Sequence, residues 1–309
     1  MTDTPPKVSV VCAWYNRADY IRDTIDSLLA QDLDDFEVIA INDGSLDPNV
    51  REILDRYDDR RLRVVHQANV GFTATIKRAI SLSKAPYIAI QGAGDISFPT
   101  RLRRQLDVLE KQEDVAIVGC GIRVFDVAAD SFKEVVNTPA QCGSLTNFGF
   151  SQGELMYRRA VYEKVGGYRE LMKYGQGGDL WRRMLRDHHA VIVPSIEYEQ
   201  RLFADGVSKS APKKITRRIL NALSVENEIT FRNTGLDHFD EFGAAAFSIL
   251  AHRPNAKKAI VSAYSAFSEL EDADAASKLE VSKLTKLQAH FLRSKASLGK
   301  AKKRLLGVL

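Results

Sequence analysis

The N-terminal third of the chain alternates between two hydrophobic periods, and that alternation limits the fold more than any other feature. Lys7 to Cys12 (KVSVVC) and Phe36 to Ile41 (FEVIAI) are short apolar runs rich in β-branched residues; Leu62 to His66 and Tyr87 to Ile90 repeat the pattern. Runs of this length and composition read as buried strands. Between them, Ala18 to Gln31, Pro48 to Tyr57 and Thr73 to Ser83 place apolar residues at helical spacing. Such alternation predicts an α/β fold on a parallel sheet with right-handed crossovers. A helix over 101–112 and a strand over 115–124 extend it, and the pattern loosens through 126–150. Beyond Ser210 the chain reads as all-helical, with segments near 214–232, 238–252, 255–270 and 275–306. The expected division is an α/β domain over 1–210 and a helical region over 211–309.

Each predicted strand ends in polar residues. Tyr15-Asn16 follows the first, Asp43-Gly44-Ser45 the second, Asn69-Val70-Gly71 the third and Gln91-Gly92-Ala93-Gly94-Asp95 the fourth. In open α/β sheets, ligands bind beyond the carboxyl ends of the strands, so four such loops in succession predict a binding crevice. One of them alone would be read as a turn. The glycines at 92 and 94 do not make a dinucleotide fingerprint. That motif needs G-x-G-x-x-G after the first strand, whereas here the loop follows the fourth and the third glycine position is Ser97. No P-loop spacing occurs either.

Composition sets the remaining bounds. The chain has 309 residues, 45% of them hydrophobic, and no apolar stretch near the roughly 20 residues that span a bilayer. No basic-then-apolar leader is visible in MTDTPPKVSV. The three cysteines, Cys12, Cys120 and Cys142, show no C-x-x-C spacing and read as free thiols of a reducing compartment. A cytoplasmic protein is expected, without a nucleic-acid partner. After residue 206 there are 18 Lys and Arg against 10 Asp and Glu, and no acid follows Glu280. This charge asymmetry marks the C-terminal part as a segment with its own partner.

Six stretches, in order, carry a resemblance: VSVVCAWYN, EVIAINDGSLD, DDRRLRVVHQANVG, APYIAIQGAGDISFPTRLRRQ, GELMYRRAVYEKVGGYRE and GGDLWRRM. Over about residues 7–208 the chain resembles the family 2 inverting glycosyltransferases. The resemblance implies the GT-A fold with a mainly parallel sheet. It also implies transfer of a sugar from a nucleotide-diphospho-sugar, most often UDP-linked, to an acceptor hydroxyl with inversion. Carried over by position, Tyr15 and Asn16 match the first nucleotide-pocket loop. Asp43 matches the carboxylate that accepts from the base, and Asn69 and Gly71 match the turn near the donor. Arg201 with Ser208 resembles the segment that closes the site on the donor phosphates, although Phe203-Ala204-Asp205 stands where a histidine is expected.

Two departures stand out. Where the family commonly has Asp-Ala-Asp-Asp, this chain has Gly92-Ala93-Gly94-Asp95, so Asp95 is the one carboxylate left for a divalent cation (Mn²⁺ or Mg²⁺). Where the family has its catalytic base, this chain has Gly177, leaving Asp179 or Glu154 as candidates. Three readings follow. In the first, a thinned metal site works with Asp95 as the single protein ligand, since Mg²⁺ often takes one or two carboxylates. In the second, no metal is used: Lys77 and a backbone nest at Gly92 to Gly94 hold the diphosphate. In the third, the protein binds nucleotide-sugars but no longer catalyses, and serves as a scaffold in glycan assembly.

Trp14 reads either as a stacking surface or as core packing. His188 and His189 read as helix-end charge partners rather than ligands. In the tail, Leu284, Leu287, Phe291, Leu298, Leu305 and Val308 recur at three- and four-residue steps among Lys and Arg. That pattern suits a coiled-coil partner or an anionic membrane surface reached through 281–309. The expected setting is then peripheral, on the inner face of the plasma membrane, with a glycan or lipid-linked acceptor for surface-polysaccharide biosynthesis.

Overall fold

A computed structural model describes residues 5–138, 143–146, 148–206 and 209–268. The chain divides after Gly206 into two compact units. The first unit contains, in chain order, β1 (Val8–Trp14), α1 (Ile21–Leu29), β2 (Phe36–Asp43), α2 (Pro48–Asp55), β3 (Leu62–Gln67), α3 (Phe72–Leu82), β4 (Tyr87–Gln91), β5 (Ile96–Ser97), α4 (Arg101–Lys111), β6 (Val115–Asp126), β7 (Ser131–Val135), β8 (Met156–Arg158), α5 (Arg159–Lys164), α6 (Gln176–Met184) and β9 (His189–Leu202).

One sheet runs β3-β2-β1-β4-β8-β6-β9-β5, with β7 paired to β6. The first four strands are parallel, with Val8 opposite Phe36 on one side and Tyr87 on the other. The parallel sheet expected from the first four strands is present, and the second half adds antiparallel strands to it. β8 inserts antiparallel between β4 and β6, and β5 and β7 are also antiparallel additions. β6 and β9 remain parallel, through three register shifts. The result is a mixed sheet whose N-terminal half, β1 to β4, is the doubly wound part.

Period-two alternation assigns the faces. Val11, Ile39 and Ile41 join Ile76 and Ile80 of α3 and Leu180 and Trp181 of α6 in one core. Val8, Val10 and Val38 face Leu28 of α1 and Leu102, Leu106 and Leu109 of α4. Near the carboxyl end of the same face, Cys12 and Trp14 pack with Ile21, Ile25, Val50 and Leu54. Trp14 is therefore core, and its indole N–H donates to the Asn16 carbonyl. Burial pushes the Cys12 and Cys120 thiols up, so both stay protonated; Cys142 lies outside the described residues. α2 starts as a helix should: the Asp47 carboxylate accepts from the Asn49 amide, with Pro48 in the first turn.

The second unit is helical: α7 (Ala211–Thr234), α8 (His238–Phe242), α9 (Ala246–Leu250) and α10 (Pro254–Ser268). The helix expected over 238–252 is interrupted at Gly243, whose φ of 52° no right-handed helix accommodates. α7 ends at Gly235 in the left-handed conformation. Among the described residues no helix is long and apolar enough to cross a membrane. The basic tail at 281–309 lies outside them.

Candidate functional site

The loops that leave β1, β2 and β3 are tied to one another by backbone and side-chain hydrogen bonds. Asn16 donates its amide to Ser45 Oγ (2.8 Å), and its Oδ1 accepts from the Leu46 amide (2.9 Å). The Ser45 amide donates to Asn42 Oδ1 (3.0 Å). Asp43 joins the second loop to the third. Its Oδ1 accepts from Gln67 Nε2 (2.7 Å) and the Val70 amide (2.9 Å), and its Oδ2 accepts from the Gly71 amide (2.9 Å). Asn69 Nδ2 returns a bond to the Asp43 carbonyl (2.8 Å). Gly44 is required here, because a Cβ on it would stand 2.5 Å from the Asn69 amide nitrogen. The crevice predicted from the strand ends is thus a single hydrogen-bonded wall. Tyr15, Leu46, Val70 and Phe72 stand exposed around it, an apolar rim with an aromatic ring available for stacking. Asp43 itself is buried and its carboxylate is occupied in shaping the wall.

At the end of β4 the chain turns sharply. The Tyr198 hydroxyl donates to Asp95 Oδ2 (2.6 Å) and accepts from the Gly92 amide (3.0 Å); the Arg201 amide donates to Asp95 Oδ1 (2.8 Å). Burial, with Asp95 beside it, holds the Tyr198 phenol well above its ordinary value, so the hydroxyl remains the donor. Burial also raises the Asp95 carboxyl to about 6, against the lowering effect of those two hydrogen bonds and the Arg17 charge. The glycines have a direct geometric reason. A Cβ on Gly92 would overlap Asp95 Oδ2, and one on Gly94, at φ 96°, would lie 2.8 Å from the Phe203 ring. Asp95 and Phe203 occupy the room that side chains at 92 and 94 would need. The expected backbone nest is corrected at its first member, because the Gly92 amide is already bonded to Tyr198.

The second glycine pair is helical. α6 begins at Gln176, so Gly177, Gly178 and Asp179 form its first turn. A Cβ on Gly177 would sit 2.7 Å from the Trp181 ring. Asp179 is held between Arg169 Nη1 (3.1 Å) and Arg183 Nη2 (2.7 Å), with all three side chains buried. Glu154 is buried as well; both its oxygens accept from Ser151, one from the amide and one from the hydroxyl. Burial raises its carboxyl above the usual range. Both candidate bases are therefore engaged with protein groups.

The cations are placed as follows. Lys77, on α3, pairs with Glu170 at 2.6 Å. The Arg201 guanidinium turns to Asp23 (2.9 Å) and Glu199 (3.2 Å). Arg17 alone of the three reaches the 92–95 loop, donating Nη1 to the Ala93 carbonyl at 3.2 Å. Ser208 lies outside the described residues. Tyr198, Arg17 and Arg169 were not singled out from the sequence, since each acts on a partner far along the chain or in a different motif. Arg183 stands one helical turn from Asp179 within GGDLWRRM, and that i,i+4 spacing was a readable signal. For Arg17 a signal existed in its position beside Tyr15-Asn16.

The residues present do not fit a protein-held divalent cation. Asp95 has both oxygens engaged and a raised carboxyl, and its neighbours at 92 and 94 carry no donor atoms. No group of three or more His, Cys, Asp or Glu among the described residues is arranged to hold a metal.

With this geometry in hand, the chain can be compared with known proteins. The profile of the family described as Glycosyl transferase family 2 matches residues 9–166. The putative glycosyltransferase EpsE of Bacillus subtilis is 30% identical over 188 residues, covering 59% of this chain and 68% of that one. An uncharacterized glycosyltransferase of Rickettsia typhi is 29% identical over 212 residues, covering 63% and 65%. Among solved structures, Staphylococcus aureus TarS 1–349 in complex with UDP-GlcNAc superposes with a TM-score of 0.56 at 17% identity, covering 84% of this chain and 81% of TarS. A mannosyltransferase of Pyrobaculum calidifontis in complex with GDP-Man and Mn²⁺ gives 0.55 at 17% identity, covering 94% and 86%. The fold is the one these transferases share, and by the profile spanning β1 through α5 the chain belongs to glycosyl transferase family 2.

Proposed function

We propose that the protein transfers a sugar from a nucleoside-diphosphate-sugar, UDP-linked, to an acceptor hydroxyl with inversion at C1, in the assembly of a glycan or surface polysaccharide. The observation that carries this reading is the wall built by Asn16, Asp43, Asn69 and Gly71, with the exposed Tyr15 next to Asn16 in the chain. A flat stacking surface beside ordered backbone amides suits a nucleoside. The TarS complex with UDP-GlcNAc shows a relative of the same fold holding such a donor, and EpsE carries a glycosyltransferase name. In the reaction the acceptor oxygen forms its bond to C1 as the C1–oxygen bond to the diphosphate breaks, and the hydroxyl proton passes to a base. Asp179 or Glu154 is that base in this reading. For Asp179 the role requires exchanging one guanidinium contact for the acceptor hydroxyl.

One observation favours a second reading. Trp181 fills the place beside Gly177, and both carboxylates are buried against protein donors, as expected of a domain that binds the donor without turnover. The deciding experiment measures donor hydrolysis and transfer with a panel of UDP-sugars for the full-length protein and for Asp179→Asn, which keeps the shape between the two arginines. Turnover in wild type that falls at least a hundredfold in the variant supports the transferase with Asp179 as base. Saturable binding with no turnover in either establishes the scaffold.

A further inference from the structure

Arg17 is a cation whose side chain reaches the 92–95 turn. The backbone at Asn16 and Arg17 is left-handed, with φ of 56° and 61°. Two consecutive non-glycine residues in that region are strained and persist where the surroundings demand them. The consequence is that the Arg17 side chain turns from the end of β1 onto the 92–94 turn. Its Nη1 donates to the Ala93 carbonyl (3.2 Å), and its guanidinium lies 4.0 Å over the Phe203 ring. That same ring fills the space beside Gly94. Nη2 stands 3.3 Å from Asp205, a carboxylate that is 77% exposed.

We propose that the Arg17 guanidinium receives the diphosphate of the donor in place of a divalent cation; the proposal rests on reading the crevice as a nucleotide-sugar pocket. Three features support it. Arg17 is two residues from the exposed Tyr15 ring and in contact with the 92–95 loop, so it bridges the base side of the crevice and the phosphate side. Its planar fork is held by a carbonyl and an aromatic face, which lowers the ordering cost of a bidentate phosphate contact. Its carboxylate partner Asp205 is exposed and the contact is screened, so a diphosphate displaces it at small cost. Lys77 and Arg201 are directed elsewhere, to Glu170 and to Asp23 and Glu199. The absence of acids at 92 and 94 then has a purpose. A carboxylate at either position would compete with the diphosphate for the guanidinium.

The test uses the full-length protein and isothermal titration with UDP and uridine, and with GDP and guanosine as a second pair, each in EDTA and in Mn²⁺. The expected result is diphosphate binding that changes less than twofold between EDTA and Mn²⁺. Arg17→Ala weakens the diphosphate at least tenfold and leaves the nucleoside unchanged. Arg17→Lys, which keeps charge without the fork, falls between. Asp205→Asn tightens the diphosphate two- to fivefold without affecting the nucleoside, and this arm stands even where Arg17→Ala melts early. Loss of diphosphate binding in EDTA with recovery in Mn²⁺ overturns the proposal. So does equal weakening of UDP and uridine in Arg17→Ala, which would make Arg17 a shaping residue. Retained nucleoside binding in those cases leaves the crevice reading intact. If neither diphosphates nor nucleosides bind, the crevice reading itself falls and this proposal with it.

Discussion

Asp95 sits where burial and hydrogen bonding pull a carboxyl in opposite directions. Burial dominates and raises it from 3.8 to about 6; the Tyr198 hydroxyl, the Arg201 amide and the Arg17 charge oppose the rise. The sign of the stability effect follows by linkage. The folded protein holds this proton more tightly than the unfolded chain. The group's contribution is therefore complete below about pH 4 and is lost as pH rises through about 6. A displacement of two units corresponds to about 3 kcal/mol. Asp95→Asn removes the titration while keeping the shape. Its unfolding free energy relative to wild type, from urea melts, should rise by about that amount between pH 4 and pH 7.5, as wild type alone loses the contribution. A difference that stays flat over this range would show that burial is not what governs the group. Asp95 and Asp43 were legible as strand-end acids. Their partners were not, because Tyr198 is 103 residues from Asp95 and nothing local to either residue announces the bond.

The helix α6 shows a glycine whose missing side chain is replaced by a neighbour. Gly177 and Gly178 lie in its first turn, and the Trp181 ring stands where a Cβ on Gly177 would reach. That ring is itself wedged edge-on against Phe148 (5.3 Å) and Phe150 (4.9 Å). Gly177→Asp must displace it, and overpacking of this kind costs about 1–3 kcal/mol. The variant should melt several degrees below wild type, with Gly177→Ala reporting the packing part alone. An undiminished melting temperature in Gly177→Asp would mean the ring does not hold that space. β1 to β4 were legible because continuous apolar runs between turn residues have few other uses. β9 escaped notice: HAVIVPSIEYEQRL mixes Pro194 and charges into a half-exposed strand with register shifts against β6. Gly243 was in plain view as a helix breaker, and it does divide the expected 238–252 helix.

Across the whole chain, charge and architecture divide at different places. The α/β unit ends at Gly206. From there to Glu280 ten basic residues balance ten acidic ones, so the whole basic surplus lies in 281–309. The amphipathic pattern of 281–309 suits adsorption to anionic lipid, with about 1 kcal/mol per basic residue near the surface. Full-length protein should co-sediment with phosphatidylglycerol vesicles at low salt and release as salt rises; a chain ending at Glu280 should stay in the supernatant. Equal sedimentation of the two would remove the membrane from consideration and leave a coiled-coil or packing role for the tail. The α/β half of the molecule could be read because its strands are local and its loops fall at strand ends. The antiparallel half could not, since β8 pairs with strands on both sides over two or three residues each.

The closure of Asp95 over Gly92 makes the 92–95 loop hard to convert to another form. An acid reintroduced at 92 meets an occupied volume, so it becomes tolerable only after Asp95 has swung out. Asp95 in turn is pinned by Tyr198 and by the backbone of Arg201. At 94 the obstacle is Phe203, which also carries Arg17. Giving this loop an acidic form therefore takes several coordinated substitutions, with intermediates that have neither arrangement intact. In the space of sequences the loop acts as a latch: no single acidic substitution at 92 or 94 fits without a second change.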